Sequence, residues 1–466
     1  MKQIASLLLG FMIFIALPSC GEAQDSAPAT AEETTADKFL DIQELKTDSG
    51  ITVWLVEDHT LPIIAMSYAF KGAGSAQDAP EDQGLTIMAS STMDEGAGEY
   101  DAQSFQKTLS DNNISVSFRS DRDNFTGYLK TLTKHKDLAF DLLHIALTES
   151  RFEEEALDRM RASHTARIRS SLSDPEWKAA RILNDVAFQG HPYAQNSGGT
   201  ISGLAGVTAE KLRSKVLPRL AKDNLMIAVA GDITAEELKA EIDEAFAGLP
   251  ETAQLKEVAD LRIQNAGTIT VYEQDIPQTV IRATQDAIGR DDPRYYPAKI
   301  MNYILGGGGF GSRLMDVIRE QRGLTYGVYT GMSEMDHLAS LTLSTSTKNE
   351  SVAELLSLAE QEFARMRTEP VSEDELTRAQ SYLTGSLPLS LSSTDRIAGL
   401  MLSLQLEDLP ANYLDSYDEK INAVTAEDIL SVAKDLLKED ALAIILVGKP
   451  ESITADKTVT ELPNVE

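Results

Sequence analysis

The segment Val207-Thr208-Ala209-Glu210 returns 217 residues later as Val424-Thr425-Ala426-Glu427. After each copy comes a helix-like stretch, then an apolar run closed by glycine, at 225–231 and 442–448, again 217 apart. Upstream, Phe152-Glu153-Glu154-Glu155-Ala156-Leu157 is answered by Val371-Ser372-Glu373-Asp374-Glu375-Leu376, at an offset of 219. Each copy also opens with strands around a proline: 51–56 then Pro62, and 269–272 then Pro277. Four matches in one order at nearly one offset require two similar halves. Their bounds fall near 39–252 and 265–455, joined by a polar, non-periodic linker at 250–259.

Within each half two periods coexist. Apolar residues recur at helical spacing in 137–148 and alternate in 63–70. Strands in hairpin-like neighbours mixed with helices favour an α+β sandwich in each half over a doubly wound parallel sheet. The 466 residues suffice for two such domains. A formal net charge of -31 excludes a nucleic-acid footprint, which needs a basic face.

The start of the chain predicts targeting. Lys2 precedes an apolar run at 4–17 that is too short to span a bilayer. It ends Leu17-Pro18-Ser19-Cys20, which resembles a bacterial lipoprotein signal over 1–20, with Cys20 as the lipidated residue. Cys20 is the sole cysteine, so no internal disulfide competes for it. Residues 21–38 are small, polar and acidic, a flexible tether. Gly21 in place of aspartate implies the periplasmic side of the outer membrane of a Gram-negative bacterium.

Gly84-Leu85-Thr86-Ile87-Met88-Ala89-Ser90-Ser91 resembles the active-site helix of the pitrilysin/insulinase (M16) peptidases, G-L-A-H-x-x-E-H. Phe188-Gln189-Gly190-His191-Pro192-Tyr193, the run 224–232 and the stretch 306–326 are also similar to that family, so the resemblance covers about 40–455. It implies two tandem α/β sandwich domains of the M16/LuxS-like metallohydrolase kind. It also places Ile87 and Ser91 where that family has zinc-binding histidines, Ser90 at the water-activating glutamate and Arg167 at the third ligand. Zinc needs three ligands, usually two from one helical turn. No two of the six histidines stand four apart. The expectation is that this chain binds no metal or other cofactor. His191 reads as a loop residue making structural hydrogen bonds, and Asp94 and Glu95 as surface or capping carboxylates.

Gly306-Gly307-Gly308-Gly309-Phe310-Gly311 formally matches a dinucleotide fingerprint. However, Ile300, Met301, Ile304 and Leu305 before it have helical spacing where that motif needs a strand. In M16 enzymes this region supplies an arginine and a tyrosine seven residues apart, and Arg319 and Tyr326 have that spacing. A guanidinium and a phenol are donors suited to a scissile carbonyl as its oxygen gains charge. The structural alternative pairs Arg319 with Glu320 and packs Tyr326 in the core, with Arg313 and Arg322 as substitute cations. Gly306, Gly307, Gly308 and Gly309 read as a flexible loop binding peptide in the channel, or else as a helix cap and tight turn. The resemblance therefore implies a non-zinc subunit that contributes Arg319 and Tyr326 in trans. Its heterodimer partner would carry His-x-x-Glu-His and the zinc, and the substrates would be unfolded peptides. The alternative is an inactive scaffold or peptide-binding protein in the cell envelope.

Overall fold

The apolar runs at 52–57, 63–70 and 225–231 are too continuous for strands with one wet face, and they form the centre of a sheet covered on both sides. The computed structural model describes residues 38–466; the signal and lipidation expectations at 1–20, and the tether but for Lys38, lie outside these. The first sheet contains β1 (Gln43–Lys46), β2 (Thr52–Glu57), β3 (Ile63–Phe70), β4 (Ser115–Ser120), β5 (Phe125–Leu132) and β6 (Leu225–Gly231), ordered β1-β2-β6-β3-β5-β4. The second contains β7 (Ile269–Glu273), β8 (Gln278–Asp286), β9 (Val328–Met335), β10 (Leu338–Lys348), β11 (Ala443–Gly448) and β12 (Lys457–Val459), ordered β12-β7-β11-β8-β10-β9.

The order is the same one twice. β2 runs parallel to β6 and β7 parallel to β11, while the hairpins β4–β5 and β9–β10 are antiparallel. The sixth, edge strand comes from opposite ends of the chain, β1 before β2 in one half and β12 after β11 in the other. Gly231 and Gly448 close equivalent strands for a steric reason. A Cβ would lie 2.0 Å from the Ile63 carbonyl oxygen at the first and 2.5 Å from Thr279 Oγ1 at the second. Thr208 and Thr425, the repeated threonines, each cap a helix by accepting from the amide three residues on, Lys211 and Asp428.

The helices needed below are α1 (Leu85–Ser90), α2 (Glu154–Ser171), α3 (Pro175–Ala187), α4 (Glu373–Ser386), α5 (Thr394–Leu406) and α6 (Ala426–Leu436). Two of them change sides. α3 belongs to the first half but lays Ala179, Ile182, Leu183 and Val186 on Val280, Ile445 and Val447 of the second sheet. α5 belongs to the second half but lays Ala398, Met401 and Leu402 against Ala69, Ala228 and Ala230 of the first. The contributing positions correspond at the repeat offset (398 − 179, 401 − 182 and 402 − 183 are each 219). Each sheet thus buries one face under its own helices and the other under a helix on loan. Ion pairs mark the exchange: Asp395 takes Lys130 at 2.7 Å and the Tyr128 hydroxyl, and its counterpart Glu176 takes Arg282 at 3.1 Å.

The chain ends follow the same rule. Phe39, Leu40 and Ile42 pack on the second-half core, whereas Leu462 and Val465 pack on the first. The second sheet also takes a strand from beyond 455, since β12 pairs with β7. The 250–259 linker is strand-free, as its lack of period predicts, but it is pinned: the Lys256 amide donates to Gln77 Oε1 at 2.7 Å and the Gln254 amide to the Pro218 carbonyl at 2.9 Å. Among the described residues no helix is long and apolar enough to cross a membrane.

Candidate functional site

α1 stands where the resemblance puts the zinc helix, and its hydroxyls are turned inward. Ser90 Oγ donates to the Ile87 carbonyl at 3.0 Å, and Ser91 Oγ to the same carbonyl at 2.7 Å. Such back-bonding returns a side chain to its own helix rather than to a ligand. The start of α1 is held by a buried network: Thr86 donates from its amide and hydroxyl to Asp78, and Arg219 reaches both Asp78 and Thr86. Nothing in the local sequence signals this network, because Arg219 lies 141 residues from Asp78.

Across from α1, α2 presents His164 rather than Arg167. Ser91 Oγ lies 3.0 Å from His164 Nε2, and since the serine proton serves the Ile87 carbonyl, Nε2–H is the donor of this contact. His164 is 7% exposed; burial, and then Arg167 beside it, push its pKa down and keep it neutral. Arg167 itself is exposed. Among the described residues no cluster of three His, Cys, Asp or Glu side chains is disposed to hold a metal. Ser91 and His164 thus form a neutral hydrogen-bonded pair between α1 and α2.

Of the surface or capping roles expected for Asp94, the surface one does not hold. It is half-buried, and desolvation pushes its pKa up to about 6. Glu95 is turned to Arg159 of α2 at 2.5 Å. His191 behaves as expected: Nδ1 accepts from the Tyr193 amide at 3.1 Å and Nε2 faces the Ala259 carbonyl at 2.8 Å.

The second candidate region runs from Tyr303 to β9. The glycines are not a loose loop: Tyr303–Gly307 is a π-helical turn and Gly309–Gly311 a 3-10 turn. A Cβ at Gly306 would lie 2.5 Å from Thr330 Oγ1, and one at Gly308 2.8 Å from the Tyr303 carbonyl oxygen. A Cβ at Gly307 would lie 2.7 Å from Asn302 Nδ2, so close packing on β9 and on the preceding helix accounts for three of the four. Gly309, in the left-handed region with φ +59, faces open space beside Phe310.

Arg319 sits on a second π-helical stretch, Met315–Gln321, a geometry common at functional sites. Its Nε donates to the Tyr326 carbonyl at 3.1 Å, its guanidinium pairs with Glu320, and the same group lies 4.7 Å from the centre of the Phe310 ring. The Glu320 pairing matches the structural alternative, but Tyr326 does not: it is 87% exposed and its ring is outside any core. The loop between them is tied to β10 by Thr347 Oγ1, which donates to the Leu324 carbonyl at 2.6 Å. Phe310, 69% exposed, is a member of this constellation that residue types alone do not reveal. Arg313 is no substitute, being buried in a two-pronged pair with Glu375 at 2.7 and 3.0 Å; Arg322 lies 3.5 Å from Glu354.

Comparison with known proteins finds the family and the fold. The family described as insulinase (peptidase family M16) matches residues 67–200, and that described as peptidase M16 inactive domain matches 206–383. The chain is 26% identical over 396 residues to the "Non-peptidase homolog YmxG" of Helicobacter pylori, covering 84% of this chain and 90% of that one. It is 21% identical over 460 residues to the mitochondrial-processing peptidase subunit beta of Lentinula edodes, covering 94% and 96%. The crystal structure of a peptidase M16 inactive domain from Pseudomonas fluorescens matches with a TM-score of 0.82 at 27% identity, covering 90% of this chain and all of that one. With two M16 models together spanning most of its length, the chain belongs to peptidase family M16, as a member without the family's His-x-x-Glu-His motif.

Proposed function

We propose that the chain is the non-zinc subunit of a two-subunit M16 peptidase, closing the peptide chamber and supplying Arg319 and Tyr326 to a partner that carries His-x-x-Glu-His and zinc. The observation that carries this is the state of Tyr326. Its ring is 87% exposed while its backbone is held by Arg319 and its loop by Thr347. A residue with an anchored backbone and an exposed phenol that bonds no other described residue is available to a second chain. Unfolded peptide would pass the open side of the glycine turn at Gly309 and Phe310, where the backbone is accessible. Relatives named as a non-peptidase homologue and as a processing-peptidase subunit support a division of labour between family members.

The inactive-scaffold alternative draws on one observation, that Arg319 already spends donors on Glu320 and the Tyr326 carbonyl. Mixing decides between them. The chain is combined with an M16 protein containing His-x-x-Glu-His from the same genome, and cleavage of quenched peptides is followed. Activity that needs both chains and falls in Arg319→Ala and Tyr326→Phe supports the shared site. An inert mixture, or one indifferent to both substitutions, leaves the scaffold. We further propose lipidation at Cys20 and an outer-membrane, periplasm-facing location, tested by release from membranes in Cys20→Ala.

A further inference from the structure

Outside α1 and the Arg319 region, four tyrosines and three cations crowd together among the helices of the second half. Tyr295 and Tyr296 open the helix Tyr295–Asn302, Tyr413 starts a 3-10 turn, and Tyr417 opens the helix Tyr417–Asn422. The rings meet edge to face, Tyr295 on Tyr296 at 5.6 Å and Tyr296 on Tyr417 at 6.1 Å, and the Tyr296 and Tyr413 hydroxyls are hydrogen-bonded at 2.7 Å. Arg290 lies 5.5 Å from the centre of the Tyr295 ring. Lys299 lies 5.9 Å from the same ring and 4.9 Å from that of Tyr417, and Lys420 lies 5.2 Å from that of Tyr413.

Lys299 is the odd member. Arg290 is balanced by Glu407 at 2.8 Å. Lys299, half-buried, makes no hydrogen bond or ion pair with another described residue, and it shares the Tyr295 ring with the Arg290 cation. Other sheltered lysines are provided for: Lys136 takes Glu241 at 2.7 Å, and Lys178 donates to Gln274 Oε1 at 2.8 Å. An ammonium carries three donors, and one kept from water without an acceptor gives up its proton readily. Burial, and then Arg290, push the Lys299 pKa down to about 8. The two rings act the other way, favouring the ammonium by about two- to fivefold each at these distances. The fall from 10.5 to about 8 is roughly three-hundredfold in proton affinity, so burial wins. The free amine stays at least about tenfold commoner than on an exposed lysine.

We propose that Lys299 is a covalent modification site, acylated at Nζ by activated acyl donors of the acyl phosphate or thioester class. The unprotonated Nζ attacks the acyl carbon and forms the N–C bond. The bond from that carbon to the phosphate oxygen or thioester sulfur breaks, the leaving group departs with the electron pair, and the nitrogen gives its extra proton to solvent. No oxidant or reductant is needed. The product puts a longer, neutral amide where a cation stood between Tyr295 and Tyr417. The site lies within this chain and does not depend on the shared-site assignment.

The test incubates the whole chain with acetyl phosphate at pH 7.5, with acetyl coenzyme A in a parallel arm, and follows each lysine by peptide mass spectrometry. Lys134 and Lys434 are the references, both exposed and without a hydrogen bond or ion pair to another described residue. Lys299 is expected to react about tenfold faster than either with at least one donor, and the donor that does so identifies the class. Its rate is expected to level off above about pH 9, while those of the references keep rising. In guanidinium chloride, where the tyrosine cluster is gone, the advantage is expected to disappear. A Lys299 acetylated no faster than the references by either donor overturns the proposal. So does a rate that rises with pH in parallel with theirs, or an advantage that persists in the unfolded chain.

Discussion

Arg319 grips the main chain of Tyr326 and leaves its ring free: Nε donates to the Tyr326 carbonyl at 3.1 Å while the side chain stands in solvent. The arginine can thus act in two ways, as a donor to substrate through its remaining N–H groups and as the clamp that positions the phenol. Phe310 under the guanidinium, 4.7 Å away, restricts its tilt.

Under the proposed shared site, these roles separate by substitution in the mixture of this chain with its zinc-bearing partner. Tyr326→Phe removes one hydroxyl from an exposed ring, so stability is expected to shift by less than about 0.5 kcal/mol. Turnover falls about 10²–10³-fold if the phenol meets developing charge. Arg319→Lys keeps the charge but loses the planar fork, and is expected to lower turnover nearly as far as Arg319→Ala. Steady-state kinetics with calorimetric Tm for each variant checks both. A Tyr326→Phe enzyme with full turnover refutes the role.

The exchanged helices predict one cooperative unit. Residues 39–252 alone lack the α5 cover over Ala69, Ala228 and Ala230, and 265–466 alone lacks the α3 cover over Ile445 and Val447. Each is expected to be aggregated or molten by itself, and the two to form a soluble complex when co-expressed. Met401→Ala opens a cavity on the first sheet at a cost of about 2–5 kcal/mol, and the whole body should still melt in a single transition. Two calorimetric transitions would show that the halves are independent.

How much of this was legible depends on whether the signal was local. The repeat was plain because 207–210 and 424–427 share residues at a fixed offset, and 63–70 was plain because its pattern makes β3. The exchange was not, since Ala179, Ile182, Leu183 and Val186 make the same apolar stripe whichever sheet they cover. Ser91 reads in the sequence as a residue that cannot ligate zinc, but its partner His164 lies 73 residues away and no spacing rule connects them. Asp94 misled because a carboxylate next to Glu95 looks like surface. The glycine run suggested flexibility because residue types do not show Thr330 packed against Gly306.

Acid stability should respond to Glu375. Burial acts to raise its pKa, but hydrogen bonds from Arg313 and Ser372 outweigh that and hold it down to about 2. A carboxylate with a lowered folded pKa contributes stability above its ordinary value of 4.5, and that contribution is lost as the pH falls from there toward 2. Glu375→Gln leaves buried Arg313 uncompensated and also weakens the cap at Ser372. It should cost about 2–3 kcal/mol at neutral pH, discounted from a fully buried pair because Glu375 retains some exposure. Urea melts at pH 7 and pH 3 are the measurement: the gap between wild type and Glu375→Gln should narrow at the lower pH. A gap that stays constant would contradict the linkage.

The Ser91–His164 pair predicts a second pH effect, in a different window. His164 is neutral in the folded chain because burial, and then Arg167, lower its pKa below 6.5. Its contribution is therefore complete above pH 6.5 and is lost as the pH falls through the folded value, since the unfolded chain takes up the proton first. His164→Gln retains a donor toward Ser91 but cannot titrate, so its stability should fall less than wild type's as the pH drops below 6.5. Ser91→Ala removes the acceptor and leaves Nε2–H buried without a partner, at a cost of about 1–3 kcal/mol near neutral pH. NMR titration of the His164 ring, with denaturant melts of the two variants across that range, gives both quantities. A His164 that titrates at or above 6.5, or a Ser91→Ala chain as stable as wild type, would mean that the contact does not hold the site closed.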